Sequence, residues 1–528
     1  MLLDDNTAQL QWTPKAAEAG QFGTWTMTVE NIAMEAGTEL RIELGHDRHA
    51  KTNWGLPQKD DPSGANFVQA CINDRLLAPQ WIKVSGGISG RLLHISVPHA
   101  VSHGDRVSIV FGDRSQGSPG MQAQTFSQPE KAIAVYREAP GDSGAADTVL
   151  LGVLQIDVIG SRWDHWALTG PSDVVRGGEL QLHLRPEDVY GNVGQLEDTT
   201  LKASITLHSW SGRKLEKVVR RTVEAEKDPW GLFSLQPLHV DLSPGYYFVT
   251  MEAEGFPHSE GHRGPHGLQG PCLPIRVHHD NTSTRTYWGY IHGHGKNSDG
   301  LGTPDDYFGF VRFSSRLDFG ALTEHDHFWE TSDPMWYEGY DAAERWNEDG
   351  QFVTFPAYEW AKWRRNGDGD RCVYFPSRSA AAIIRSDDGH ADTPQKLFSA
   401  LRPRKAMVIP HHTSMSGNPC DWKDHDDAAE RLVEIYGNWG CSERSYADGN
   451  PFPVKPTWPE YASCANPQPD MAEAPEGYVQ RALAMGLRLG FTAGGDDHKG
   501  HPGDNSVSVL SFGHWHYKAG LLAVGAEA

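Results

Sequence analysis

Residues 287–328 read YWGYIHGHGKNSDGLGTPDDYFGFVRFSSRLDFGALTEHDHF. A short aromatic and apolar run ends on His292 and His294, and a Gly-rich turn then carries Asp299. An amphipathic segment follows, and a second apolar run ends on Glu324, His325, Asp326 and His327. Short apolar runs bounded by turn residues predict strands. Each strand delivers imidazoles and carboxylates at its C-terminal end, which predicts half of a metal site, to be completed from elsewhere in the chain.

Downstream, the same grammar repeats. Thr303-Pro304-Asp305-Asp306 combines a capping residue, a first-turn Pro and early acids, a helix start. Thr393-Pro394 opens another helix with Leu397, Phe398 and Leu401 on one face, and hands over to a strand at 406–410 that ends on His411 and His412. A third helix carries Tyr478, Val479, Ala482, Leu483 and Leu487 and leads to Asp496, Asp497 and His498. Strand, ligand and helix in succession predict a β/α-barrel with its function at the C-terminal strand ends.

Upstream, residues 1–280 read as β structure. Trp25, Met27 and Val29 alternate with polar residues, as do Val107, Ile109 and Phe111, and Leu180, Leu182 and Leu184. Period-two patterning predicts half-buried antiparallel strands. Residues 176–194, RGGELQLHLRPEDVYGNVG, resemble the strand and turn of immunoglobulin-like sandwich modules. A stretch rich in Gly, Ser, Pro and Ala within 115–145 reads as a boundary or a long loop. His258, His262 and His266 are four apart, but the Gly and Pro around them at 255–274 forbid a helix and predict a connecting loop. The expected organisation is a β-rich, sandwich-like region over 1–280, as one or two modules, followed by a catalytic domain over 281–528.

Composition sets the outer limits. A chain of 528 residues suggests roughly three domains. Its formal charge of −22 disfavours polyanion binding, and no basic stripe with interleaved aromatics predicts a nucleic-acid surface. Cys71, Cys272, Cys372, Cys420, Cys441 and Cys464 are widely spaced, without a CxxC pair, and read as reduced thiols. The opening MLLDDNTAQLQW lacks the basic and apolar regions of a signal peptide, and no run is long enough to span a bilayer. The expectation is a soluble, cytoplasmic protein without a membrane partner.

Collecting the strand-end groups adds Glu359 from TFPAYEWA to those above. Clustered carboxylates and imidazoles repel one another or lose solvation unless cations bind among them. Nitrogen and oxygen donors without thiolates suit Zn, Mn or Fe. In order, the motifs are HxH, SDG, a run ending in T-E-H, a lone Glu, P-H-H and G-x-D-x-H. This set resembles the PHP (polymerase and histidinol phosphatase) superfamily, in its branch with a long β-rich N-terminal region.

The resemblance, which covers 287 to about 515, implies a distorted (β/α)7 barrel with up to three metals. It implies that His292, His294, Glu359 and Asp496 hold the first metal. Glu359 would bridge to a second, joined by a His of the P-H-H motif. His412 is favoured over His411 there, because it occupies the place of the His in the family's A-H-P. Asp299, His325 and His498 would hold the third, with Asp497 behind them. Two features depart from the family. Glu324 stands where the family has Asp, and the strand at 432–436 runs on to Gly437-Asn438-Trp439 without the usual His. Glu434, Cys441 and Glu443 are the nearby substitutes, and Asp370 stands where relatives carry His. The expected cofactor is therefore two or three divalent cations.

The function this implies is metal-dependent hydrolysis of a phosphoester or similar oxyanion ester, with a small-molecule or oligomeric anionic substrate. Lys296, Arg364, Arg365, Arg371 and Lys499 neighbour ligands in sequence and are the candidates to contact the anion. Asp326 or His327 is the candidate acid for the leaving group. Two alternatives stand beside it. One is a carbohydrate- or polymer-active hydrolase or lyase with the β-rich region as binding module, suggested by 18 Trp. The other is a non-catalytic protein with a structural metal. Homo-oligomer formation is left open.

Overall fold

The computed structural model describes residues 8–44, 53–85, 92–140, 148–212, 214–256, 265, 268–280, 284–362, 368–416, 418–454, 473–504 and 521–527. His258, His262, His266, Arg364 and Arg365 lie outside the described residues, as does the N-terminal heptapeptide. The chain divides into two compact units, one built on residues 1–161 and the other on residues 162–508. Among the described residues, no helix is long and apolar enough to cross a membrane.

In the first unit, strands Gln9–Thr13, Trp25–Glu30, Arg106–Phe111, Val68–Ile72 and Arg75–Leu76 form an antiparallel sheet. A second sheet is built around Thr148–Ile159, Gln128–Glu138, Glu39–Leu44 and Leu92–Ser96. The expected alternation is present: Trp25, Met27 and Val29 are buried, with half-buried residues between them.

The second unit contains an eight-stranded sheet over residues 165–278 and a smaller system of strands that carries the His-rich segments. The large sheet buries a core that includes Leu180, Leu184, Ile205, Phe233, Val249 and Ile275. It is tied to the first site strand, Thr284–Tyr290, through Asp173 and Ser172. Asp173 Oδ2 accepts from the Thr286 N–H at 2.7 Å, and the Trp288 indole donates to Ser172 Oγ at 2.7 Å. Arg185 of the large sheet, itself buried, donates to Ser314 Oγ at 3.1 Å.

The site strands depart from the β/α-barrel expectation. Thr284–Tyr290, Phe319–Leu322 and Val353–Trp360 are parallel neighbours, as a barrel requires. Val353–Trp360 then pairs antiparallel with Arg371–Tyr374, which pairs antiparallel with Met407–Pro410. An antiparallel return needs no crossover helix, so the alternation of strand and helix stops there. Leu432–Gly437 and Gly490–Ala493 pair with each other in a separate small sheet. Among the described residues 43% are strand and 12% helix, with sheets curled into half-barrels, and these residues form no (β/α)7 barrel.

Two helices start where the caps predict. Thr303 Oγ1 accepts from the Asp306 N–H at 3.1 Å, and Asp306 Oδ2 accepts from the Thr303 N–H at 2.8 Å, a reciprocal cap on Pro304–Gly309. Pro394–Leu401 buries Leu397, Phe398 and Leu401 against Trp336, Tyr358 and Val408.

Candidate metal centre

The ends of five strands bring the predicted ligands together. His292 and His294 follow Thr284–Tyr290, His325 follows Phe319–Leu322, and Glu359 lies near the end of Val353–Trp360. His411 and His412 follow Met407–Pro410, and Asp496 and His498 follow Gly490–Ala493. Backbone bonds set the register between these ends. The His294 N–H donates to Asp497 O at 2.7 Å, and the Glu359 N–H donates to Glu324 O at 3.0 Å. His412 and Asp496 both have positive φ, 32° and 48°. Non-Gly residues rarely hold that backbone, and such strain concentrates at functional sites.

Ligand atoms of His292, His294, Glu359 and Asp496 lie within 4.8 Å of one another, and so do those of His294, Asp299, His325 and His498. These are the expected first and third groups, with His294 shared between them. The middle group is Asp370, His411 and His412. Here the expected choice of His412 as the partner of Glu359 is corrected: His411 Nε2 lies 3.3 Å from Glu359 Oε1, whereas His412 Nε2 faces Asp370 Oδ2 at 3.5 Å. Asp370 therefore belongs to the site.

The histidines share one orientation. His292 Nδ1 meets Glu434 Oε2 at 2.9 Å, His294 Nδ1 meets Ser298 Oγ at 3.3 Å, and His325 Nδ1 meets Glu330 Oε2 at 3.0 Å. His411 Nδ1 meets Cys372 Sγ at 3.6 Å, and His498 Nδ1 meets the Asp496 carbonyl at 2.8 Å. In all five, Nδ1 is occupied by an outer partner and Nε2 turns inward, toward Glu359, Asp496 or Asp299. An outer acceptor on one ring nitrogen fixes the tautomer and leaves the other with a lone pair, the arrangement of metal-ligating histidines.

The inward atoms fit a cation. His294 Nε2 lies 3.0 Å from Asp496 Oδ1 and 3.1 Å from Glu359 Oε2. Yet His294 Nε2, His411 Nε2 and Asp496 Oδ1 are buried and make no aligned hydrogen bond. Buried atoms without partners that converge on one point are a donor set that fits a cation. The electrostatics agree. Burial works against charge on His294 and His325 adds to that, but Asp496 and Glu359 raise it to about 9. Burial would raise Glu359, yet the His411 and His325 charges and the close approach of His292 and His294 hold it well below the carboxylate range. His412 is driven the other way, to about 3, by burial and by His411.

The remaining expected residues take other places. Glu324 accepts from the backbone N–H groups of Gly295, Asn297 and Ser298, so the longer acid fastens the loop that carries Asp299. Asp497 Oδ2 accepts from the His501 N–H at 2.8 Å, behind the ligands as expected. Glu434 buttresses His292. Glu443 takes a hydrogen bond from Gln480, and Cys441 sits in the short strand Gly440–Cys441. Lys296 is exposed on its loop.

Four functional expectations are corrected by what the side chains touch. Arg371 is buried, with Nε 2.6 Å from Glu430 Oε1 and Nη1 on the Asp368 and Gly369 carbonyls. Lys499 is buried on Asp504, at 2.9 and 3.1 Å. Both charges are paired with buried carboxylates inside the protein. Asp326 accepts from Ala361 N–H and from the backbone and hydroxyl of Ser386, and burial pushes its carboxyl up to about 7. His327 meets the Ala361 carbonyl with Nε2 at 3.0 Å and Glu330 with Nδ1 at 3.3 Å. Asp326 and His327 thus staple strands and loops together, and the donor atoms a leaving-group acid would use are engaged.

The sequence marks Asp370 as standing at a position where relatives carry His, but it does not single out Glu330 or Cys372 as site residues. One contact stands behind this: Cys372 lies directly across from Glu359 in the antiparallel pair of strands, and Asp370 immediately precedes that strand. The Glu434 contact carries a prediction. Glu434→Gln should lower metal affinity about 10–100-fold with the fold retained, because it weakens the acceptor that orients His292. Competition titration with a chelating dye measures this, and an unchanged affinity would remove Glu434 from the site.

Residues 314–500 match a family model described as "Protein of unknown function (DUF3604)". An uncharacterized protein of Chlamydia muridarum is 24% identical over 502 residues, covering 92% of this chain and 73% of the relative. One from Chlamydia trachomatis serovar D is 25% identical over 504 residues, with the same coverage. Among solved structures, the major pilin subunit BcpA of Bacillus cereus aligns with a TM-score of 0.18 and 8% identity, over 52% of this chain and 66% of that one. A structure of PhoD aligns with a TM-score of 0.18 and 10% identity, over 36% and 37%. Structural likeness at that level carries no argument about fold or function. The sequence match to the DUF3604 model spans most of the ligand-bearing segment, from the end of the second site strand's approach to the residue after Lys499.

Proposed function

We propose that this protein is a metal-dependent hydrolase acting on a phosphoester or a similar oxyanion ester. The observation that carries the reading is the shared orientation of five histidines, each anchored at Nδ1 and turned with Nε2 toward Glu359, Asp496 or Asp299. The order of ligands along the chain supports it through its resemblance to the PHP superfamily, although that superfamily's barrel does not carry over.

His292, His294, Glu359 and Asp496 would hold one cation, and His294, Asp299, His325 and His498 another. Asp370, His411 and His412, with Glu359 between, offer a third position. Zn, Mn or Fe suits these donors. When bound, such cations supply Lewis-acid activation of water and of the ester's oxygens. The chain's own residues do the rest. Glu359 presents one carboxylate oxygen to His292 and His294 and the other to His325 and His411, so it sets the spacing of the groups it joins. Glu434, Ser298, Glu330 and Cys372 hold the imidazole planes. Burial of the cluster keeps bulk water from screening the charges.

Purified protein is expected to carry two or three transition-metal ions per chain and to hydrolyse an aryl phosphate. Metal-free protein that gains neither metal nor turnover on adding Zn, Mn or Fe would overturn the reading. The metal-free site should also bind protons in place of metal. His294, raised to about 9, is protonated at neutral pH and must lose its proton to ligate. His292, His325 and His411 are likewise held well above the ordinary imidazole value, so apparent metal affinity should rise with pH by about tenfold or more per unit above neutrality. Titrations in buffers of different ionisation enthalpy read the released protons directly.

A further inference from the structure

The two residues at the tip of the hairpin formed by Leu432–Gly437 and Gly440–Cys441 are Asn438 and Trp439. Hairpin tips are ordinarily exposed and solvated. This one is buried. Asn438 is 2% exposed, and neither its Oδ1 nor its Nδ2 has a hydrogen-bond partner. Among the described residues it is the one buried side chain with two orphaned polar atoms. Native proteins leave few such groups, because each gives up its water without compensation.

Its neighbours along the chain reach the ligand groups. Trp439, the next residue, donates its indole N–H to Asp496 Oδ2, and its ring lies 5.9 Å from that of His412. On the other side, the strand that leads into Asn438 presents Glu434 to His292 and accepts the Gly494 N–H at 3.0 Å through Tyr436 O. The hairpin tip is thus held against the ligand groups from both flanks. Arg371 and Lys499, the basic residues expected to hold the substrate's anion, are committed to Glu430 and Asp504. An oxyanion entering this end of the site meets no free guanidinium or ammonium from them.

We infer that Asn438 is a substrate-binding residue whose carboxamide takes the oxyanion at the metal centre, with Nδ2–H donating to a phosphoryl-type oxygen and Oδ1 accepting from a hydroxyl or protonated oxygen beside it. The inference rests on the metal-centre reading above and adds to it the group that recognises the substrate. A neutral amide discriminates by hydrogen-bond geometry where a basic side chain would attract any anion.

The test uses the full chain loaded with metal, inorganic phosphate as probe, and the variants Asn438→Ala and Asn438→Leu. Calorimetric titration should show phosphate binding to the unmodified protein and at least tenfold weaker binding to both variants. Metal content should be unchanged. The melting temperature of the phosphate-free protein should hold or rise, since an orphaned buried amide has been replaced by an apolar group. Equal phosphate binding by the variants would overturn the Asn438 assignment alone. Loss of one metal equivalent in both variants would also overturn it, by making Asn438 a ligand. A metal-loaded parent protein that does not bind phosphate would instead overturn the oxyanion reading on which it rests.

Discussion

Replacing Glu359 with glutamine is expected to lower turnover by about 1000-fold or more and to strip metal from more than one group at once. Glu359 Oε2 lies 3.4 Å from His292 Nε2 and 3.1 Å from His294 Nε2, while Oε1 lies 3.7 Å from His325 Nε2 and 3.3 Å from His411 Nε2. One carboxylate is therefore the common anionic neighbour of four inward-facing imidazoles. Neutralising it removes a ligand charge and the connection between groups together. If the cations supply several kcal/mol of transition-state stabilisation, a loss of about 4 kcal/mol corresponds to that factor in rate. Elemental analysis of the purified variant should show fewer ions per chain, with the far-ultraviolet spectrum unchanged. Full metal content in Glu359→Gln would remove Glu359 from its central place.

The second large effect is on stability. Arg371→Met should destabilise the protein by about 3–5 kcal/mol, because it leaves the buried Glu430 carboxylate without its guanidinium partner. Arg371 is enclosed between Trp360 and Phe398 and bonds two backbone carbonyls besides Glu430. His425 Nδ1, 3.1 Å from Glu430, remains as a partial counter-charge and sets the lower end of the range. Urea unfolding measures the change. A variant with parent-like stability but a raised KM would instead show Arg371 to be a substrate contact.

The ligand chemistry was legible because strand ends carrying His, Asp and Glu are visible as residue types at the close of apolar runs. His292, His294, Glu359, Asp496, Asp299, His325 and His498 come together as their order along the chain suggested. The barrel was misread at one point. Val353–Trp360 pairs antiparallel with Arg371–Tyr374, and a buried strand has the same apolar signature whether its neighbour is parallel or antiparallel. His412 groups with Asp370 and His411, but its expected pairing with Glu359 is corrected for a related reason. Two consecutive histidines differ only in which way each points, and the positive φ of His412 turns it to Asp370 while His411 meets Glu359.

What the amino-acid sequence determined by itself was the kind of donor atoms and their order, since a side chain's chemistry is a local property. The tertiary structure alone decided strand direction, which imidazole faces the shared carboxylate, the internal pairing of Arg371 and Lys499, and the burial of Asn438 without a partner. Each of these depends on what lies across a sheet or at the far end of a loop. Contacts between residues tens to hundreds of positions apart are set by register and packing, which no local pattern records.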